Sequence, residues 1–290
     1  MDLEAVSGAA TIALASTIVF LLIVKSWQAV AHSGPGTASF PNSIMQEAAQ
    51  RFRDRLEQLG REQSVYLTSA LVFTVVFAVA YLLNPQEMFG DVPRWQLISV
   101  LVLLTGAALY VLWQLLTIGI KRRRIAFIRD ANIATGHALQ TLTSNRNRVF
   151  HDVRINSGTI DNVLVGLHGI YTINVIARKP GRHNSVRLVG DQLTFASGKH
   201  AISVAQAGRK AENLAREVRK LLRHEVRVRP VIAVPGWEIE SQKSNDYLVV
   251  NERTIAMLRG WKDERDYLMN EDVAAVHKLL TKRCMRYGTK

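Results

Sequence analysis

The sequence predicts a three-helix α-helical transmembrane anchor followed by one α/β domain with a mixed central sheet. Three observations predict it. The first 120 residues hold three long uncharged segments. Residues 148–176 alternate and pause as three β-strands do. The charge is divided: residues 1–120 carry 6 basic and 8 acidic residues, while 121–290 carry 31 and 16, so the basic excess of the chain belongs to its C-terminal half.

Each element follows in order. Spans are expected near 5–24, 65–83 and 96–120, because each is long enough to cross a hydrocarbon core about 30 Å thick at about 1.5 Å per residue. Their flanks set an orientation, since Lys and Arg are retained on the cytoplasmic side. Lys121-Arg122-Arg123-Arg124 follows the third span, Arg51, Arg53, Arg55 and Arg61 precede the second, and the acidic N-terminus carries Asp2 and Glu4. This predicts a multi-pass protein of the inner (cytoplasmic) membrane, with its N-terminus outside and its C-terminal domain in the cytoplasm. Ala29-Val30-Ala31 resembles a signal-peptide cleavage site, but no Lys or Arg precedes the apolar run, as a signal peptide requires. No Asp, Glu, Lys, Arg or His lies inside the spans, which argues against a proton or ion pathway and for an anchor.

Between the first two spans, His32-Ser33-Gly34-Pro35-Gly36 reads as a linker. An amphipathic, cytoplasmic helix is expected near 43–62, opened by Ser43 with Gln46 placed for a capping box. Met45, Ala48, Phe52, Leu56 and Leu59 recur at three- and four-residue spacing. Lipid, the C-terminal domain or a second copy of the chain are the surfaces such a helix fits. The anchor therefore occupies residues 1–124 and the soluble domain residues 125–290.

The soluble domain opens with its most informative stretch. Gly166-Leu167-His168-Gly169 separates two apolar runs as a hairpin turn. On the strand after it, Tyr171, Ile173, Val175 and Ala177 share an apolar face, while Ile170, Thr172, Asn174 and Ile176 share a face able to line a site. Residues 187–196 read as a hairpin about Gly190-Asp191, 201–223 as a long helix, 229–234 and 247–250 as strands separated by a polar loop, and 253–259 and 271–286 as helices. Trp237 and Trp261 read as packing residues. Cys284 is the only cysteine, so no intrachain disulfide forms. The eight histidines lack metal-ligand spacing, and the nucleotide-loop and serine-elbow motifs do not occur.

Val149-Phe150-His151-Asp152, Ile160-Asp161-Asn162, Val165-Gly166, Gly169-Ile170-Tyr171, Gly190-Asp191 and Gln206, in this order and spacing, resemble the nuclease-related domain (NERD) family, a branch of the PD-(D/E)xK nuclease fold. The resemblance runs from about Ala131 to Trp261. It implies an Asp at the opening of a central strand and a Glu-x-Lys on the next, with the carboxylates binding a divalent cation and the Lys serving the attacking water. Asp161 fits the first role. The Glu position falls on Asn174, the Lys position on Ile176, and a further Glu expected after a Gly in the leading helix falls on His137, after Gly136. Gln206 matches a residue that borders the active centre in related domains.

Asn is a neutral, weaker oxygen ligand than Glu for a hard cation, and Ile supplies neither proton nor charge. The implied catalytic set is thus a remnant: Asp161, Asn174 and Gln206, with Asp161 as the metal ligand and Mg²⁺ as the cofactor only if activity survives. Arg178 shares the parity of Asn174 and Ile176 and reaches that face if the strand continues, but arginine is a poor base. The basic helix aligns Gln206, Lys210 and Asn213 and carries Arg216, Arg219 and Arg223; with Arg178 and Lys210, these arginines are the expected nucleic-acid contacts, to DNA or RNA. The leading expectation is a membrane-bound pseudoenzyme that binds nucleic acid. Its alternatives are an active Mg²⁺-dependent nuclease completed by Arg178 or Lys210, and a non-catalytic scaffold for protein partners.

Overall fold

The computed structural model describes residues 3–33, 45–82, 94–143, 147–181, 183–196, 201–244, 246–259 and 267–284. The chain forms two compact units, one from Met1–Ser39 with Arg55–Arg124 and Thr289–Lys290, the other from Phe40–Asp54 with Ile125–Gly288.

Three helices, α1 (Leu3–Ser33), α2 (Gln50–Leu82) and α3 (Arg94–Gln140), supply the first unit, except that the start of α2 up to Asp54 and the end of α3 from Ile125 belong to the second. Within them, Gly8–Ser26, Gln50–Val79 and Val102–Gln140 are long and apolar enough to cross a membrane. Large side chains such as Leu22, Leu71, Val102, Leu109 and Ile120 are exposed, as apolar helices that lack a protein partner on those faces require. α2 and α3 meet where the Arg122 guanidinium donates to the Gln63 side-chain oxygen. The amphipathic helix expected near 43–62 is corrected in its start. Ser43 lies outside the described residues, and the helix begins at Gln50, because the Gln46 backbone N–H is drawn to the Cys284 carbonyl at 2.9 Å and Ala49 takes a left-handed φ of 64°.

In the second unit a five-stranded sheet runs β1 (Arg148–Ile155), β2 (Gly158–Gly166), β3 (Gly169–Val175), β7 (Val228–Ala233), β9 (Leu248–Val250) in spatial order. The first three strands pair antiparallel and the last three parallel, so the sheet is mixed. The β2–β3 turn falls where the glycines predict it, with Gly169 at φ 123°. β3 is central and buried on both faces: Ile170 joins a core under α4 (Ala205–Leu222) and α5 (Asn270–Arg283), with Leu214, Val218 and Val276. Tyr171 and Ile173 pack with Leu139 and Leu142, at and just beyond the end of α3. The face carrying Thr172 and Asn174 is therefore roofed by a helix, not open.

A second sheet, in the order β6 (Ile202–Ser203), β5 (Gln192–Phe195), β4 (Ser185–Val189), β8 (Glu238–Lys243), was not expected. β8 occupies what reads as a polar loop, and β6 takes the residues expected to begin the long helix, which starts at Ala205. Trp237 is a packing residue as expected, edge-on to Phe195 at 4.7 Å between centroids; Trp261 lies outside the described residues. The segment expected to be helical at 253–259 is a 3₁₀ turn, Ile255–Arg259.

Candidate functional site

Strand register brings the site together. His151 pairs with Asn162 and Val153 with Ile160, so the skipped step between them sets Asp152 beside Asp161. Asn162 pairs with Ile173, so the next step sets Asp161 abreast of Asn174. Two carboxylates and an amide thus lie in a row across β1, β2 and β3. Like charges abreast on neighbouring strands repel. Asp152 is 2% exposed and Asp161 7%, so water relieves little of that repulsion.

A cation from elsewhere in the chain relieves it. Arg51, in the first turn of α2, donates from Nη2 to Asp161 Oδ1, sets Nε 3.3 Å from Asp152 Oδ1, and gives its backbone N–H to Asp152 Oδ2 at 3.2 Å. Val175 N–H donates to the other Asp161 oxygen, Oδ2, at 2.7 Å. Asp152 has φ 50°, a left-handed conformation that a non-glycine strand residue holds only when its surroundings enforce it. Burial pushes its carboxyl up to about 6, Asp161's charge adds to the rise, and Arg51 opposes it.

Lys210 approaches from α4. Its ammonium donates to the Thr159 carbonyl at 2.7 Å and to Asn174 Oδ1 at 3.4 Å. Burial lowers its pKa, Asp161 works against that shift and Arg51 reinforces it. Asn174 Nδ2 is buried with no hydrogen-bond partner among the described residues. At the edge of the row, His151 Nδ1 and Asn162 Oδ1 lie 2.6 Å apart, and burial lowers the imidazole's pKa.

With this geometry, the segment from the end of α3 to just past β7 can be placed. Residues 130–235 match the family model of the nuclease-related domain, NERD. No curated protein and no solved structure matches the chain. The matched segment contains Asp152, Asp161, Asn174 and Lys210; Arg51 lies outside it.

Related nuclease folds use such carboxylates for a divalent cation, and here the donor set does not fit one. Asp161 Oδ1 and both Asp152 oxygens already serve Arg51, and Asn174 Oδ1 serves Lys210. A cation added beside the guanidinium would meet a positive charge already in contact with both carboxylates.

The remaining predicted residues of the nuclease-related domain separate. β3 ends at Val175, so Arg178 does not continue its face; the guanidinium lies 4.8 Å over the Phe195 ring and the carbonyl accepts the Trp237 indole N–H at 2.9 Å. Ile176 also follows the strand and packs with the second sheet's core. Gln206 is exposed in the first turn of α4, and His137 is exposed on α3. Arg216 is exposed and donates to Asn213, Arg219 pairs with Glu225 at 3.1 Å, and Arg223 caps α4 with φ 61°. Arg51 was legible only as one of several arginines before a span. Asp152 stood in the family-like Val-Phe-His-Asp run but had no assigned role.

Proposed function

We propose that this is a membrane-anchored nuclease-related protein whose basic C-terminal unit binds nucleic acid and has given up most of the metal-dependent chemistry of its fold. The observation that carries the reading is the ion pair of Arg51 with Asp161, which supplies a guanidinium where related folds need a metal. Asn174 in the Glu position supports it. The excess of Lys and Arg in residues 121–290 supports polyanion binding, and exposed Arg216, Arg219 and Arg223 on and just beyond α4 give phosphates a surface.

Three helices long and apolar enough to cross a bilayer support the membrane anchor, and the flanking charges favour an inner-membrane topology with the N-terminus outside and the C-terminal unit in the cytoplasm. A second copy of the chain remains a partner compatible with the apolar helices. The test is fluorescence anisotropy of labelled DNA and RNA against the full chain in nanodiscs across a salt series, with Mg²⁺-dependent cleavage followed in parallel. Binding that weakens steeply with salt, without cleavage, is expected. No binding at low salt removes the nucleic-acid reading in favour of the scaffold.

One observation favours a second reading. Lys210 reaches Asn174 from α4 and so puts an ammonium near Asp161 without the missing Glu-x-Lys lysine. A residual Mg²⁺-dependent nuclease would then lose its cleavage on both Lys210→Met and Asp161→Ala.

A further inference from the structure

We propose that Met45–Asp54 is an inhibitory strap built into the chain, and that Arg51 is its working residue: the guanidinium is the resident cation of the Asp152–Asp161 pair, so Arg51 and a divalent cation exclude one another. This deepens the reading above, naming how its site is held closed.

The strap is fixed at three places along its length. Gln46 donates its backbone N–H to the Cys284 carbonyl at 2.9 Å. Ala48 lies against Gly136 so closely that a Cβ on that glycine would come within 2.8 Å of the Ala48 methyl. Arg51 then binds Asp152 through both main chain and side chain and Asp161 through the side chain. The left-handed Ala49 turns the chain between these anchors. Nothing in the second and third contacts follows from local helix propensity; each uses a feature of the nuclease-related segment, a glycine in α3 and two buried carboxylates.

Charge makes the exclusion mutual. Asp152, Asp161, Arg51 and Lys210 form a cluster of two negative and two positive groups, with Lys210 coupled to both Asp161 and Arg51. With Arg51 in place the cluster is neutral and the guanidinium lies against both carboxylates. With Arg51 withdrawn, two nearly buried carboxylates stand beside one ammonium, an uncompensated negative charge that draws a cation strongly. Arg51 lies in the first turn of α2, so a shift of that turn moves the cation.

The test is Mn²⁺ binding, read by electron paramagnetic resonance, on the full chain in nanodiscs. Arg51→Gln should bind Mn²⁺ at least about tenfold more tightly than the parent, about 1.4 kcal/mol. Arg51→Lys should restore weak binding, and Asp161→Asn added to Arg51→Gln should abolish the gain. Equal Mn²⁺ affinity in the folded Arg51→Gln variant and the parent overturns the proposal. If Arg51→Gln fails to fold, hydrogen exchange on the parent decides. The Arg51 amide, which donates to Asp152, should exchange faster as Mn²⁺ rises, and unchanged exchange across the titration overturns the proposal. DNA and RNA affinity is read on the same samples. Its absence would remove the nucleic-acid reading and leave the competition standing, whereas equal metal affinity would remove the strap and leave nucleic-acid binding untouched.

Discussion

The strands β1–β3 and the segment Met45–Asp54 contribute opposite halves of one charge cluster, and they are specified in different ways. The strands are written locally: alternating apolar residues, a glycine-bounded turn, and carboxylates whose register sets them side by side. The strap has no such grammar. Arg51 lies 110 residues from Asp161, and its role exists only once the sheet has formed. Anions can be placed by strand pattern; the group that makes them tolerable came from outside the matched domain.

Removing the cation should break this pairing most severely. Arg51→Ala leaves Asp152 and Asp161 nearly buried with the Lys210 ammonium as their one remaining compensating charge in the cluster, and loss of one partner of such a set costs about 3–5 kcal/mol. Arg51's side chain is 35% exposed, so the lower end is expected. Thermal unfolding of the solubilised full chain, followed by near-ultraviolet circular dichroism, should show a lower midpoint. Asp152→Asn added to Arg51→Ala should recover part of it, because an amide lacks the charge. Equal midpoints for parent and Arg51→Ala would mean the ion pairs are ornamental.

Proton binding sharpens the same comparison. Asp152 rises from 3.8 to about 6 in the folded chain. Its contribution to stability is therefore fully present below the unfolded value near 4 and is lost as pH rises through 6. Two pH units correspond to roughly 3 kcal/mol. Stability should fall between about pH 4 and pH 6 relative to an Asp152→Asn variant, which lacks this titration. Because Arg51's charge holds the carboxyl down, Arg51→Ala should move the Asp152 titration further up, as carboxylate-carbon NMR would show. A titration unmoved by that substitution would deny the contact.

Legibility followed the same divide. The β2–β3 hairpin and Asp161's place were readable because apolar alternation and glycine are local signals, whereas the mixed sheet, with its parallel β3–β7 pair, followed only from the family resemblance. β8 was not, because its Glu-Ile-Glu-Ser-Gln-Lys sequence is half exposed and shows no apolar alternation strong enough to outweigh its charge. Arg178 misled because parity holds only while a strand lasts, and β3 stops at Val175. Lys210 was placed on the right face of its helix, yet only the packing of α4 on the sheet shows that it meets Asn174.

The glycine under the strap offers a milder way to separate the two regions. Gly136→Ala puts a methyl 2.8 Å from that of Ala48, so one backbone must shift, at about 2 kcal/mol for an overpacked contact. If the strap yields, protection of the amides at 45–54 should fall while those of β3 keep theirs. Equal loss in both would mean that the strap and the sheet unfold as one body.

The smallest expected effect concerns the exposed arginines of α4 and its cap. Arg216, Arg219 and Arg223 are solvated, and their side-chain partners, where present, are an Asn213 amide and the exposed Glu225, so each contributes little to folding. Reversing all three to Glu should leave the unfolding midpoint near its parent value. A polyanion, by contrast, gains from neutralising phosphates and releasing counterions, so the reversal should weaken DNA or RNA binding about tenfold at moderate salt and flatten its salt dependence. Unchanged affinity with an unchanged slope would move the binding surface to other basic residues of the C-terminal unit. Loss of affinity with an unchanged slope would show that α4 shapes the surface without touching phosphate. A fall in both is the signature of direct contact, and it would place nucleic acid on the same helix that carries Lys210 into the carboxylate row.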